Sequence, residues 1–245
     1  MSASNLPALS TASIRLNVAL KHRQSDYTAR LALDEKTRRD VFALRYESYL
    51  ASGFIQQNLT KLFSDKFDDL PNSATVVIYS EGKAIASIRT CFLSRDCTTT
   101  SPARETFPDE VNRLLSETGA SRGNLEGVEF TRLVRSPEAA NNQGLVFLLY
   151  RLAGYLSLRN DCQVVLSCVR QNHVPFYKRL RFREVTAARA YPGLNCPMQL
   201  LACSRADLDE VRAGSPILDP EAAHPKSFAG FLQGQLVPLS LVQPT

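Results

Sequence analysis

This sequence predicts an α/β fold in which a mixed sheet is covered by helices on both faces. Three observations lead there. Two early strand-like runs, 75–79 and 84–93, are separated by a short Glu-Gly turn and read as a hairpin. Later in the chain, strand-like runs alternate with runs of helical period, which together with the hairpin implies a mixed sheet with helices packed on it. At 245 residues the chain is also long enough to bury the core of one large domain.

Taken in order, residues 1–26 are rich in Ser, Ala and Asn, lack a sustained period, and read as a flexible arm. Helical spacing begins behind Asp34, a capping residue, and carries Val41, Phe42, Leu44, Tyr46, Tyr49 and Leu50 up to Gly53. An Asp-rich connection over 63–71 precedes the hairpin. Residues 94–108 are turn-rich, and 109–117 form a short helix behind Pro108. The run 126–135, Glu-Gly-Val-Glu-Phe-Thr-Arg-Leu-Val-Arg, has the β-branched and apolar content of a strand, yet it holds Glu129 and Arg132. A polar loop ending at Gly144 leads into a helix over 143–159, followed by a strand at 162–169 built on Val164, Val165, Leu166 and Val169. Pro175 suits the first turn of a helix over 176–180. Short strands are expected at 182–185 and 197–203, and beyond Ser204 lie five prolines and a helix near 228–232. These elements bound a domain at 27–204 with an extension over 205–245.

Hydrophobic residues at 44% and charged residues at 22% are ordinary for a soluble globular protein. No apolar run approaches the ~20 residues that span a bilayer, so no integral membrane segment is expected. No hydrophobic stretch follows the N-terminal charges as a signal peptide requires. Cys91, Cys97, Cys162, Cys168, Cys196 and Cys203 form no C-x-x-C pair, and several lie in apolar strands. That pattern points to reduced structural thiols in a cytoplasmic protein, and away from a zinc site or a disulfide framework. The net charge of +5 suits an acidic partner or substrate. Nucleic acid is not expected, because the basic residues lack interleaved stacking aromatics.

A charge inside a buried strand is costly unless it is paired or used. Glu129 and Arg132 therefore mark where chemistry is expected. Asp65 and Asp68 form a D-x-x-D around Phe67 just before the hairpin, and Arg89 sits in its second strand. This order of an acidic motif, a strand arginine and an E-x-x-R strand resembles the GNAT-like autoinducer synthases of the LuxI type. More closely, it resembles the long-chain N-acyl amino acid synthases of the FeeM type. Leu44-Arg45-Tyr46 and the later Gly53-Phe54 are similar to the FeeM-type opening. Residues 173–182 are similar to an acyltransferase motif ending in Phe-Tyr-x-x-x-Gly-Phe, except that Arg181 replaces the glycine, so a different local backbone is expected.

The resemblance implies a GNAT-like, mostly antiparallel mixed sheet. It implies an N-acyltransferase that moves a fatty acyl chain from a thioester to the amine of an amino acid or similar small acceptor. No bound cofactor is implied; the donor is the acyl-phosphopantetheine of an acyl carrier protein. Residues 141–144 keep only a remnant of the glycine-rich pyrophosphate loop of coenzyme A users, which favours the carrier over acyl-coenzyme A. Alternatives are an acyl-homoserine-lactone synthase, disfavoured by the absence of tryptophan, or an ornithine-type lipid N-acyltransferase. From another class comes a non-catalytic acyl-carrier-binding module.

Aminolysis of a thioester needs a neutral amine, and an α-amino group with a pKa of roughly 8 can give its proton to a nearby carboxylate. Glu129 is the candidate base. By the resemblance, Tyr177 is the candidate to protonate the leaving thiolate. Asp65, Asp68, Arg89, Arg132, Arg45, Phe54 and Thr131 are expected to bind substrate or organise the site. The charged pairs read equally well as a network pinning the N-terminal helix and its loop to the sheet. Arg170, Lys178, Arg179 and Arg181 belong to a segment holding six basic residues and one acid over 170–189, a candidate surface for the acidic carrier. Strand geometry adds a condition. Residues three apart face opposite sides of a regular strand, so Glu129 and Arg132 can share a site only across a bulge.

Overall fold

In the computed structural model, which describes residues 27–118, 124–215 and 225–239, the chain opens with strand β1 (Tyr27–Leu31) and helix α1 (Glu35–Ala51). The expected arm at 1–26 lies outside the described residues. Asp34 caps α1, its Oδ1 accepting from the Thr37 N–H at 2.7 Å. The hairpin is β2 (Ser73–Ser80) and β3 (Lys83–Leu93). Its turn residues Glu81 and Gly82 have φ of 49° and 78°, the positive pair that a type I′ hairpin needs. The turn-rich stretch contains an unforeseen short helix, α2 (Pro102–Thr106), ahead of α3 (Pro108–Glu117).

Next come β4 (Gly127–Arg135), α4 (Gln143–Arg159), β5 (Val164–Val169), α5 (Val174–Arg179), β6 (Arg183–Glu184), β7 (Arg189–Tyr191) and β8 (Leu194–Ser204). The chain continues through α6 (Arg205–Gly214), α7 (Pro225–Leu232) and β9 (Val237–Leu239). The strands run β6-β8-β5-β4-β3-β2-β1-β9, with β7 beside β8. Among the described strands every pairing is antiparallel except β4 with β5.

Alternation along the strands supplies two covered faces. Val76 and Ile78 of β2, Ile88 of β3 and Phe130 of β4 pack with Leu145, Leu148, Leu149 and Leu152 of α4. On the other face, Val77 and Tyr79 meet Val41 of α1, while Leu93, Val164 and Leu166 meet Phe107, Val111 and Leu115 around α2 and α3. The described residues beyond Ser204 are part of this architecture. Phe228 and Phe231 of α7 are buried in the α4-side core, and β9 pairs with β1 along the sheet edge. No helix among the described residues is long and apolar enough to cross a membrane.

The one parallel junction positions the site. β4 and β5 pair only from Gly127–Val164 to Glu129–Leu166, and beyond that step their ladder stops. The two strands leave a cleft there, spanned by the Ser167 hydroxyl donating to the Phe130 carbonyl at 3.3 Å.

Candidate active site

Arg89 stands opposite Thr131 and Ser87 opposite Val134, so Ile88 alone faces Arg132 and Leu133. That is a β-bulge, and Arg132 takes a left-handed φ of 52° within it. The bulge resolves the three-residue spacing. Glu129 and Thr131 face the α1–α3 side before it, and Arg132 and Val134 face the same side after it. Glu129 and Arg132 thus share one side of the sheet.

Arg132 then reaches the acidic loop ahead of β2. Its Nε and Nη2 donate to Asp65 Oδ2 at 3.0 and 2.7 Å, and Nη2 also donates to the Pro192 carbonyl at 2.9 Å. Arg89 donates to Asp65 Oδ1 at 2.6 Å and lies 2.9 Å from Asp68 Oδ1. Arg45, on α1, donates to Asp68 Oδ1 at 2.7 Å. Burial alone would raise the Asp65 carboxyl. The hydrogen bonds and charges of Arg89 and then Arg132 outweigh it and hold Asp65 down at about 2. Asp68 is lowered in the same way, with Arg45 and Arg89 overcoming burial. Three buried arginines and two aspartates therefore join helix, loop and sheet. Arg132 Nη1 is buried with no hydrogen-bond partner among the described residues.

Glu129 is fully buried. Its Oε1 accepts from the Tyr191 hydroxyl at 2.6 Å, and its Oε2 from the Ala103 N–H at 2.8 Å. The Tyr191 oxygen is also 3.2 Å from Thr131 Oγ1.

A cavity of about 250 Å³ opens at the β4–β5 cleft, lined by both strands, α1, α5 and the β7–β8 turn. Arg132, Arg135, Arg170 and His173 are among its lining residues, and among the described residues no carboxylate lines it. Tyr49, Phe54, Tyr177, Tyr191, Leu194 and Met198 supply its aromatic and apolar walls. Arg170 lies over the Phe54 ring at 4.5 Å and contacts His173 Nε2 at 3.0 Å. Burial, then the charges of Arg170 and Arg135, lower the His173 pKa, so this imidazole is neutral near pH 7. Burial pushes Tyr177 up to about 12, and it keeps its proton there.

Of the residues singled out from sequence, Phe54, Thr131, Arg132 and Tyr177 line this cavity. Asp65, Asp68, Arg89 and Arg45 form the network behind Arg132. Glu129 lies one hydroxyl away from the cavity, beneath Tyr191. The four candidate carrier-binding cations have different surroundings. Arg170 is in the cavity wall, Lys178 pairs with Glu184, and Arg181 pairs with Glu210 at 2.7 Å. Arg179 is exposed and has no ion-pair partner among the described residues. The backbone expectation at Arg181 is corrected: its φ of 61° is the left-handed conformation that a glycine favours at a helix end.

Tyr191 was missed in the sequence. Its signal was the following Pro192-Gly193, which turns β7 into β8 with Gly193 at φ 73°, a proline–glycine turn of type II composition. The loop before α4 uses four of its amides internally. The N–H groups of Ala139, Ala140 and Asn142 donate to the carbonyls of Ser136, Pro137 and Ala139, and that of Gly144 to Asn142 Oδ1 at 3.1 Å.

The sequence profile of the N-acyl amino acid synthase FeeM family matches residues 40–204. No curated protein matches the chain in sequence. Among solved structures, the chain is similar to FeeM, an N-acyl amino acid synthase from uncultured soil microbes, with a TM-score of 0.61 at 15% identity over 78% of this chain and 96% of that one. It is similar to the acyl-homoserine lactone synthase LasI, with a TM-score of 0.55 at 15% identity over 88% of this chain and 100% of that one. The coenzyme A-dependent acyl-homoserine lactone synthase BjaI gives a TM-score of 0.56 at 14% identity, over 79% of this chain and 90% of that one. These likenesses establish the shared acyltransferase fold.

Proposed function

This chain belongs to the N-acyl amino acid synthase FeeM family and is an N-acyltransferase, and from that premise we propose that it moves a fatty acyl chain from an acyl carrier protein thioester to the amine of an amino acid. The observation that carries this reading is the cavity at the β4–β5 cleft, basic and free of carboxylates among the described residues, with the half-buried Arg135 and Arg170 in its wall. Guanidinium groups that reach the cavity suit an acceptor carboxylate through charge-assisted hydrogen bonds. The aromatic walls suit apolar substrate parts.

In this reading the acceptor binds through its carboxylate at the basic wall of the cavity, where Arg135 and Arg170 lie, and turns its amine toward the thioester carbonyl. Glu129 is the final proton acceptor. The amine forms the C–N bond, the C–S bond breaks, and Tyr177 hydrogen-bonds the departing sulfur as it gains its proton. The Asp65–Asp68–Arg45–Arg89 network holds Arg132 in place. A carrier is favoured over coenzyme A because four amides of the loop before α4, that of Gly144 among them, are already hydrogen-bonded within it and are not free for a pyrophosphate.

The test supplies purified protein with acyl-carrier protein or acyl-coenzyme A and a panel of amino acids, and analyses the products by mass spectrometry. N-acyl amino acids formed faster from the carrier support the reading. A lactone product would reassign the chain to homoserine-lactone synthesis, and no product with any amine would leave a binding module.

A further inference from the structure

Glu129 does not line the cavity in which the amine would be acylated. It is fully buried, and each carboxylate oxygen already accepts a hydrogen bond, from the Tyr191 hydroxyl at 2.6 Å and from the Ala103 N–H at 2.8 Å. A proton leaving the cavity for Glu129 must therefore pass through a neighbour. Tyr191 and Thr131 both line the cavity. A phenol has one proton, and the 2.6 Å contact commits it to the carboxylate. In the 3.2 Å contact between the two hydroxyl oxygens, Thr131 is then the donor. The two hydroxyls are ordered head to tail, from the cavity wall to the carboxylate.

The geometry points to Tyr191 as the proton relay of this enzyme, passing the acceptor's proton from the cavity, by way of Thr131, to Glu129. The inference rests on the acyltransferase reading above. The ammonium N–H bond breaks as Thr131 Oγ1 takes the proton and gives its own to Tyr191, whose phenolic proton moves to Glu129 Oε1. The freed amine attacks the thioester carbonyl carbon. Its second proton ends on the leaving sulfur, and the last stays on the amide nitrogen. Glu129 returns its proton to water before the next turnover. Tyr191 is never a phenolate in this scheme, in keeping with burial and then the Glu129 charge raising its pKa well above that of a free phenol. The other titratable groups facing Glu129 do not compete. Burial raises Cys91 to about 12 and Cys168 well above an ordinary thiol, so both remain neutral.

The experiment compares the full-length wild type with Tyr191→Phe, Thr131→Val, Glu129→Gln and the Tyr191→Phe/Glu129→Gln double variant. Two acceptors are used, an amino acid charged at the assay pH and hydroxylamine, which is neutral there. Tyr191→Phe is expected to lower kcat for the amino acid on the order of 100-fold, the low end for losing acid–base help, with KM little changed. Residues of one relay act as a unit, so the double variant is no slower than Glu129→Gln alone. A purely structural tyrosine would affect both acceptors equally, whereas the relay predicts that hydroxylamine transfer survives within about 5-fold. Thr131→Val breaks the same path at its outer end and must show the same dependence on acceptor, whether or not Tyr191→Phe folds. Wild-type kcat in Tyr191→Phe, multiplicative losses in the double variant, or equal losses on both acceptors overturn the relay alone. Failure of the wild type to acylate any amine from either donor overturns the acyltransferase reading, and the relay with it.

Discussion

Arg132 holds a left-handed φ of 52°, which costs a residue with a Cβ roughly 1–2 kcal/mol. Its hydrogen bonds to Asp65 and Pro192 and the Phe63 ring 5.1 Å from its guanidinium offset that cost. Asp65 is the hinge of the arrangement, because one carboxylate serves both Arg89 and Arg132. Replacing it by Asn leaves two buried guanidinium groups short of charge, so Asp65→Asn is expected to destabilise the fold by about 3–5 kcal/mol, read as a lower urea midpoint. Arg181 shares the left-handed backbone but is exposed, and its ion pairs with Asp207 and Glu210 are on the surface. Arg181→Gly relieves strain of about 1 kcal/mol and loses pairs of similar or smaller size. Its urea midpoint should match the wild type, whereas a drop as large as that of Asp65→Asn would mean that the Arg181 pairs anchor α6.

Strand identity was legible from apolar content: β2, β3 and β5 could be read from their apolar runs, although the β2–β3 ladder shifts register after Ile78. The bulge in β4 was not, because periodicity has no term for one residue opposed to two, and left-handed backbone at an arginine contradicts local propensity. The E-x-x-R spacing only stated the condition a bulge would satisfy. The elements after Ser204 were underestimated for a different reason. The helix expected near 228–232 is α7, but α6 and β9 were not expected, and the three residues of β9 build no periodic signal. Their weight lies in tertiary contact: Phe231 is fully buried, and the Phe228 and Tyr155 rings stack at 4.0 Å. These elements lie beyond the part of the chain that matches the family profile. Phe231→Ala is therefore expected to cost about 3–5 kcal/mol, measured by thermal or urea unfolding. A loss below about 1 kcal/mol would make the extension an appendage and not part of the core.

For the molecule as a whole, the buried charges were legible as residues but not as a geometry, since Asp65 meets Arg89 and Arg132 across 24 and 67 positions of chain. That long reach gives the fold a specific response to acid. Asp65 is held at about 2, below the ~3.9 of an unfolded aspartate, because Arg89 and Arg132 outweigh the effect of burial. The folded state thus binds this proton less readily than the unfolded state. The associated stability is fully present above the unfolded value and is lost as pH falls through the folded one. For Asp65 this contribution is on the order of 2 kcal/mol, and Asp68, lowered by Arg45 and Arg89, loses its share in the same direction. Urea unfolding followed by circular dichroism should give a midpoint that changes little from pH 7 to about 5 and declines from there toward pH 2. Asp65→Asn, already weaker at pH 7, should decline less steeply through that acid window because one of the titrating groups is gone. If wild type and variant instead fall in parallel, the acid response belongs to other carboxylates, and the network does not join helix, loop and sheet as one unit.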